Sequence, residues 1–294
     1  MSRLEVQHLS VQFGNGASAV RALDDVSLEV ESGTVVGVVG ESGSGKSTLA
    51  RVIAGMQPVD AGRVLLDGRD IIARRGMSPG ERAKLVQMIF QDPHSSLNPK
   101  MTVEECLDEV LAVHTTKTRR ERAASIGELL SLVRLKPEAR RQYPSQLSGG
   151  MRQRVAIARC LAVRPSFIIA DEITSALDAS VQGAVINLMR ELQAELNLSV
   201  LFITHNLAVV RYVADRTAVM RSGQLVEVGN SVELVSNPQH PYTQNLISAI
   251  PNLADAGTDP LLGDIAPITT GIRVGTNQTQ SAQRRGLFRI GARG

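Results

Sequence analysis

The chain has no tryptophan, and aromatic residues make up only 3% of it. Surfaces that bind nucleic acid by stacking bases are built from such side chains, so the composition argues against one. Cysteine is nearly absent too: Cys106 and Cys160 are the only two, and they do not fall at metal-ligand spacing. That excludes a disulfide framework and suits a reduced, cytosolic setting. No apolar run approaches the roughly 20 residues of a membrane span, and Met1-Ser2-Arg3-Leu4-Glu5 does not read as a signal peptide. Any membrane role is therefore expected to be peripheral, through a partner. Lys and Arg number 32 against 29 Asp and Glu, and a net charge of +3 does not by itself call for a polyanion. What remains is 294 residues, 43% hydrophobic and 21% charged, enough for one large domain or two smaller ones.

One stretch organises the rest. Gly40-Glu41-Ser42-Gly43-Ser44-Gly45-Lys46-Ser47-Thr48 fits the phosphate-binding pattern G-x-x-x-x-G-K-[ST]. Val35-Val36-Gly37-Val38-Val39 before it is continuously apolar and β-branched, as in a strand buried on both faces of a parallel sheet. Leu49 to Ala54 after it reads as the first turns of a helix. A glycine-rich turn with an exposed lysine would need neither flank. The glycines let successive backbone N–H groups converge on phosphate oxygens, with the positive helix end behind them. Lys46 is expected to reach the β- and γ-phosphates, and the Ser47 hydroxyl to ligate Mg2+.

In chain order, alternation over Leu4–Phe13 predicts a strand, Gly14–Ser18 a turn, and Ala22-Leu23 with Val26–Val30 a second strand. This opening is antiparallel in character. Arg63–Gly68 reads as a short strand with a turn, and Lys84–Phe90 as an apolar strand ending at Gln91-Asp92-Pro93. From Met101 to about Leu135 the period becomes helical: Val103, Leu107, Val110 and Leu111, then Ile126, Leu129, Leu130 and Val133. A helical subdomain is therefore expected over about residues 92–163. Phe167–Ala170 and Val200–Ile203 read as buried strands, with an amphipathic helix marked by Val181, Val185, Leu188 and Leu192 between them. Leu207–Ala214 reads as a helix, and Arg221–Gln224 as a tight turn between short strands. The three apolar strands each run into polar residues, and ligands of open α/β sheets bind beyond such ends.

Phe167–Ala170 followed by Asp171 is the Walker B pattern, in which the carboxylate holds Mg2+ opposite the loop hydroxyl. Glu172 is placed to orient and polarise a water as general base, although an Asp-Glu pair alone would more simply cap the next element. Leu147-Ser148-Gly149-Gly150-Met151-Arg152-Gln153-Arg154 opens a helix read as Arg152–Ala162, whose N-terminus offers free N–H groups and a hydroxyl to an anion. A serine-capped helix would look the same by spacing.

Beyond spacing, this stretch resembles the signature motif of ATP-binding cassette (ABC) ATPases. Gln91 resembles that family's Q-loop, Ser175-Ala176-Leu177-Asp178 its D-loop, His205 its switch histidine and Phe13 its adenine-stacking aromatic, all in the family's order. The resemblance covers about residues 3–250. It implies an α/β fold: a P-loop NTPase core with an N-terminal antiparallel β subdomain and an inserted α-helical subdomain. Residues 1–250 would be the nucleotide-binding domain and 251–294 a C-terminal extension, a partly disordered tail made basic by Arg284, Arg285, Arg289 and Arg293. It implies two such domains dimerised head to tail around ATP, with Ser148, Gly149 and Gly150 of one facing Lys46 of the other. Glu172 would activate water and His205 would contact the γ-phosphate. Gln91 would sense Mg2+ and the lytic water, and Asp178 would link the two sites.

The stretch from Gln87 to Pro99 and the run Asn237-Pro238-Gln239-His240-Pro241-Tyr242-Thr243-Gln244-Asn245-Leu246 resemble the oligopeptide/dipeptide/nickel importer subfamily. Physically the second is only a proline-defined turn before a helix over Thr243–Ile250. The resemblance implies a homologous ATPase partner on a different chain, two transmembrane permease subunits, and, indirectly, an extracytoplasmic substrate-binding protein. It places the chain peripherally on the cytoplasmic face of the inner membrane. Two positions depart from the family pattern: Ile173 stands where most members have Pro, and Met151 where Gln is frequent. Neither removes a ligand. No cysteine follows Cys160, so no iron–sulfur cluster is expected. The competing reading is a soluble ABC ATPase acting on nucleic acid or ribosomes, supported by a pI near 9.1 and the basic tail.

Overall fold

Alternation in the first strand runs into an irregularity, and the fold absorbs it. Leu4, Val6, Leu9 and Val11 of β1 (Leu4–Phe13) are all buried, although two residues separate Val6 from Leu9. His8 lies between them in the left-handed region (φ 53), where a bulge re-phases the strand. The computed structural model describes residues 2–14, 16, 19–73, 76–92 and 96–249. β1 pairs antiparallel with β2 (Val20–Val30) on one side and β4 (Ala61–Leu66) on the other. Between them in sequence come β3 (Val35–Val39), the phosphate loop and α1 (Lys46–Ile53). With β5 (Arg69–Asp70) they form a four-stranded sheet in the order β2-β1-β4-β5.

After β5 follow α2 (Pro79–Leu85), β6 (Val86–Ile89), and the helices α3 (Val103–His114), α4 (Arg119–Leu132) and α5 (Gly149–Leu161). Then come β7 (Phe167–Asp171), α6 (Ala179–Leu196), β8 (Ser199–Ile203), α7 (Leu207–Val213), β9 (Arg216–Arg221) and β10 (Gln224–Asn230). The chain's described part closes with α8 (Ser231–Ser236) and α9 (Pro241–Ser248). A second, six-stranded sheet has the order β10-β9-β3-β8-β7-β6, parallel except for β10 at its edge.

The continuous apolar runs of β3, β7 and β8 are explained by cover on both faces. Phe167 and Ile169 of β7 pack toward the antiparallel sheet and α1, whereas Ile168 and Ala170 pack toward α3–α6. Leu201 and Ile203 of β8 divide from Val200 and Phe202 in the same way. Because β3, β8 and β7 are parallel neighbours in register, their carboxyl ends lie side by side. Val38 pairs with Ile203, and Ile203 with Asp171. The chain leaves all three at one edge, which is where the site forms.

Between β6 and β7 the described residues hold helices and turns and no strand. Thr102 and Thr118 cap α3 and α4 through reciprocal capping boxes with Glu105 and Glu121. Val103, Leu107, Leu111, Ile126, Leu129, Leu130 and Val133 are all buried, as their helical spacing predicts. Several boundaries differ from those read in the sequence, three of them with a local signal that explains the difference. Lys84 and Leu85 end α2, and the strand is only Val86–Ile89. The signal was present in Ser78 and Glu81, whose capping box starts a helix just upstream. The signature helix begins at Gly149, with Ser148 as its N-cap, not at Arg152. The C-terminal helix begins at Pro241, a residue that favours the first helical turn.

The chain divides into a unit of Met1–Asp264 and one of Ile265–Gly294. The second unit lies outside the described residues, as do the basic tail, Ile250, and Pro93, His94 and Ser95 of the Q-loop stretch.

Cys106 and Cys160 are both buried and free. Full burial pushes the Cys160 thiol up to about 12, far from the thiolate form that reacts. A thiol reagent at neutral pH should therefore titrate no fast cysteine in the native protein and both after denaturation.

Candidate active site

Gly45 is the residue on which the phosphate loop turns into α1. It has φ 106, and a Cβ there would sit 2.4 Å from the Ala22 carbonyl, so both conformation and space require glycine. The turn after β9 closes on the loop from the other side: Gly223 N–H donates to the Ser44 carbonyl at 2.9 Å, and Asp24 N–H donates to Gly223 O at 2.9 Å. The sequence shows the Arg221–Gln224 turn but not this contact, because nothing local to the turn reports its distant neighbour.

Lys46 is 5% exposed, and its amine donates to the Gly40 and Glu41 carbonyls at 2.8 and 2.7 Å. Burial lowers its pKa, and the nearby carboxylates of Glu172, Asp171 and Glu41 work in the opposite direction. Ser47 Oγ donates to Asp171 Oδ1 at 3.4 Å across the 124 residues between the loop and the end of β7. Burial raises the Asp171 carboxyl above the usual carboxylate range, partly offset by the Ser47 bond. A hydroxyl and a carboxylate converge here, both hard oxygen donors of the kind Mg2+ takes alongside phosphate oxygens and water. The donor set fits that ion.

Glu172 follows Asp171 in the left-handed region (φ 47), a conformation that costs a non-glycine residue of order 1 kcal/mol and re-aims its side chain off the strand. Its backbone N–H remains tied to the Ile203 carbonyl at 2.9 Å. One carboxylate oxygen accepts from Gln91 Nε2 at 2.9 Å, and the other lies 3.5 Å from His205 Nδ1. Gln91 follows β6 and His205 follows β8, the strands on either side of β7. Sheet order thus brings together three residues that the sequence spaces 81 and 33 apart.

The signature residues occupy a different place. Ser148 is exposed, and its hydroxyl accepts from Met151 N–H at 3.3 Å as a helix cap. Among the described residues no hydrogen bond joins Ser148, Gly149 or Gly150 to the phosphate loop. Instead, a Cβ on Gly149 would lie 3.2 Å from Leu177, and one on Gly150 only 2.3 Å from Val181 Cγ1. Asp178 caps α6 by position without a side-chain hydrogen bond and is exposed. Phe13 ends β1 with 43% exposure, paired with Val20 at the start of β2.

The crowding at Gly150 makes a prediction. Gly150→Ala should lower the melting midpoint by an amount equivalent to about 1–3 kcal/mol and reduce ATPase activity, because neither helix backbone can yield freely. Adding Val181→Ala should restore most of both, as read by thermal melts and turnover.

The family described as ABC transporter matches residues 23–175, the span from β2 through the phosphate loop to the carboxylates. The chain belongs to that family and is an ATPase. A second match, the oligopeptide/dipeptide transporter C-terminal region, covers residues 226–275 of this ABC ATPase. The oligopeptide transport ATP-binding protein OppF of Bacillus subtilis (strain 168) is 48% identical over 250 residues, 84% of this chain and 82% of that protein. The dipeptide transport ATP-binding protein DppF of Lactococcus lactis subsp. cremoris (strain MG1363) is 44% identical over 253 residues, 85% and 81% of the two chains. Among solved structures, a dimeric ATP-binding cassette in a post-hydrolysis state with ADP and Pi aligns with TM-score 0.67 and 28% identity. That alignment covers 78% of this ABC ATPase and 98% of the other chain. The cbiO1 protein of Clostridium perfringens, part of the cbiONQ transporter complex, aligns with TM-score 0.70 and 27% identity over 80% and 90%.

Proposed function

We propose that this chain is the ATP-hydrolysing subunit of a peptide importer, bound to the cytoplasmic face of the membrane through separate permease subunits. The observation that carries the catalytic part is the Glu172 carboxylate, held between Gln91 and His205 next to Lys46, Ser47 and Asp171. Substrate class rests on the C-terminal match over residues 226–275 and on relatives named for oligopeptide and dipeptide transport. Peripheral attachment is supported because no helix among the described residues is long and apolar enough to cross a membrane.

In this reading residues 1–250 form the nucleotide-binding domain and about 92–163 its helical signature part. The loop from Gly40 to Thr48, through backbone N–H groups other than that of Glu41, binds the triphosphate of ATP together with the Lys46 amine, and Phe13 stacks on the adenine. Ser47, Asp171 and Gln91 would hold Mg2+, which when bound supplies positive charge against the β- and γ-phosphates. Glu172 accepts the proton of the attacking water, whose direction Gln91 fixes, and His205 contacts the γ-phosphate. The exposed Ser148 hydroxyl at the N-terminus of α5, with the half-buried Gly149 next to it and Gly150 packed behind on Val181, would be available to the triphosphate held by a second cassette. The post-hydrolysis cassette that aligns with this chain is dimeric, which supports such pairing. Closure of two cassettes excludes water and strengthens every polar contact with the γ-phosphate.

Affinity purification from detergent-solubilised membranes tests the assignment. Co-purification of two membrane proteins and a homologous ATPase, with ATP hydrolysis stimulated by peptide and its binding protein in vesicles, is the expected outcome. Isolation with ribosomes or nucleic acid, and without membrane proteins, would overturn it.

A further inference from the structure

Tyr242 belongs to α9, 201 residues after Glu41, yet its hydroxyl accepts a hydrogen bond from the Glu41 backbone N–H at 3.2 Å. The side chain is 6% exposed and packs in a cluster with Val39, Leu207 and Val219. The Arg221 guanidinium lies 4.9 Å from its ring centre. The approach to α9 is held as firmly. Glu227 accepts from the N–H groups of Gln239 and His240 at 2.9 and 3.0 Å, and His240 Nδ1 accepts from Tyr242 N–H at 3.1 Å. Ring and helix start are fixed, so the hydroxyl is delivered to one point.

That point is the first peptide of the phosphate loop. The Gly40–Glu41 peptide has its N–H on Tyr242 and its C=O on Lys46 Nζ at 2.8 Å, so one planar group is gripped at both ends. The next carbonyl, of Glu41, also accepts from Lys46, at 2.7 Å. Glycine at position 40 offers little torsional resistance of its own, so these bonds set the orientation of the peptide. Gly223 braces the same loop at Ser44 O. The last third of the described chain thus holds the loop at two places.

We propose that Tyr242 is a positioning residue for nucleotide binding. Through the Gly40–Glu41 peptide it sets where the Lys46 amine stands before phosphate arrives, and so couples α9 to the ATP site. This rests on the reading of the phosphate loop as that site. Without the hydroxyl the peptide can rotate, and binding must then order it.

The test uses the full chain and ATP with Mg2+, comparing the unaltered protein with Tyr242→Phe, Tyr242→Ala and Lys46→Ala. Tyr242→Phe keeps the ring and its packing and removes one neutral hydrogen bond. The expected result is a rise in Kd and KM of roughly three- to tenfold, with kcat unchanged and the melting midpoint lowered by no more than the few degrees that one hydrogen bond is worth, far above the assay temperature. Tyr242→Ala should show the same affinity loss together with a lower midpoint. Unchanged affinity in Tyr242→Phe, or a loss that only tracks a falling midpoint, would make the tyrosine merely structural and overturn the proposal. If the unaltered protein binds ATP no better than Lys46→Ala, the ATP-site reading itself fails, and this inference fails with it.

Discussion

Glu172→Gln is expected to keep ATP bound and stop its hydrolysis. The amide is isosteric with the carboxylate and keeps the left-handed backbone at the same cost, so the fold is undisturbed. Gln91 retains an oxygen to which it can donate. What disappears is the basic carboxylate that is proposed to take the proton from water, and general-base removal typically costs roughly 10²–10⁴ in rate. Removing a negative charge beside Asp171 should leave ATP affinity equal or higher. Turnover and nucleotide occupancy after rapid gel filtration, measured with the partner subunits present, separate the two effects. Near-normal turnover would remove Glu172 from its role and leave the site without a base.

Lys46→Ala should act on binding instead. The amine is buried and donates to the Gly40 and Glu41 carbonyls and to Ser44 Oγ, and desolvation lowers its pKa although the carboxylates of Glu172, Asp171 and Glu41 work against that. A triphosphate supplies the counter-charge that burial withholds. Charge-assisted hydrogen bonds of this kind are worth enough that affinity should fall roughly ten- to hundredfold. A direct titration shows this, and a thermal melt run alongside shows whether loss of the Lys46 donor to the Gly40 carbonyl, and to the Glu41 carbonyl that keeps the Ser44 N–H, costs stability as well. Affinity within twofold of the unaltered protein would mean that the loop does not bind phosphate through this side chain.

The contrast between these variants and Tyr242→Phe follows from how each residue is visible. The phosphate loop, the Asp171-Glu172 pair and the Ser148-Gly149-Gly150 cap are contiguous motifs. Their geometry is set within a few residues, so for the phosphate loop the strand before and the helix after carry the reading, whereas the Asp171-Glu172 pair and the serine cap needed the resemblance to the family to be told from ordinary caps. The strand boundary at Val86 is less legible, because Ser78 and Glu81 nucleate a helix that runs into an apolar segment able to serve either structure. Gln91 and His205 are each a single polar residue after an apolar run, a pattern that chance produces often. Their meeting on Glu172 depends on β6, β7 and β8 lying side by side, a fact of sheet order.

By itself, then, the sequence determined the local elements of this protein: a glycine-rich loop between strand and helix, a carboxylate pair after a buried strand, a serine-capped helix start and the family to which they belong. Tertiary structure alone decided which side chains hold those groups in place. The Gln91–Glu172–His205 set, the Gly223 brace and the Tyr242 hydroxyl on the Gly40–Glu41 peptide join residues whose separation leaves no periodicity to read. Hydrogen bonds reach about 3 Å whatever the distance along the chain, and only packing brings such partners within that range.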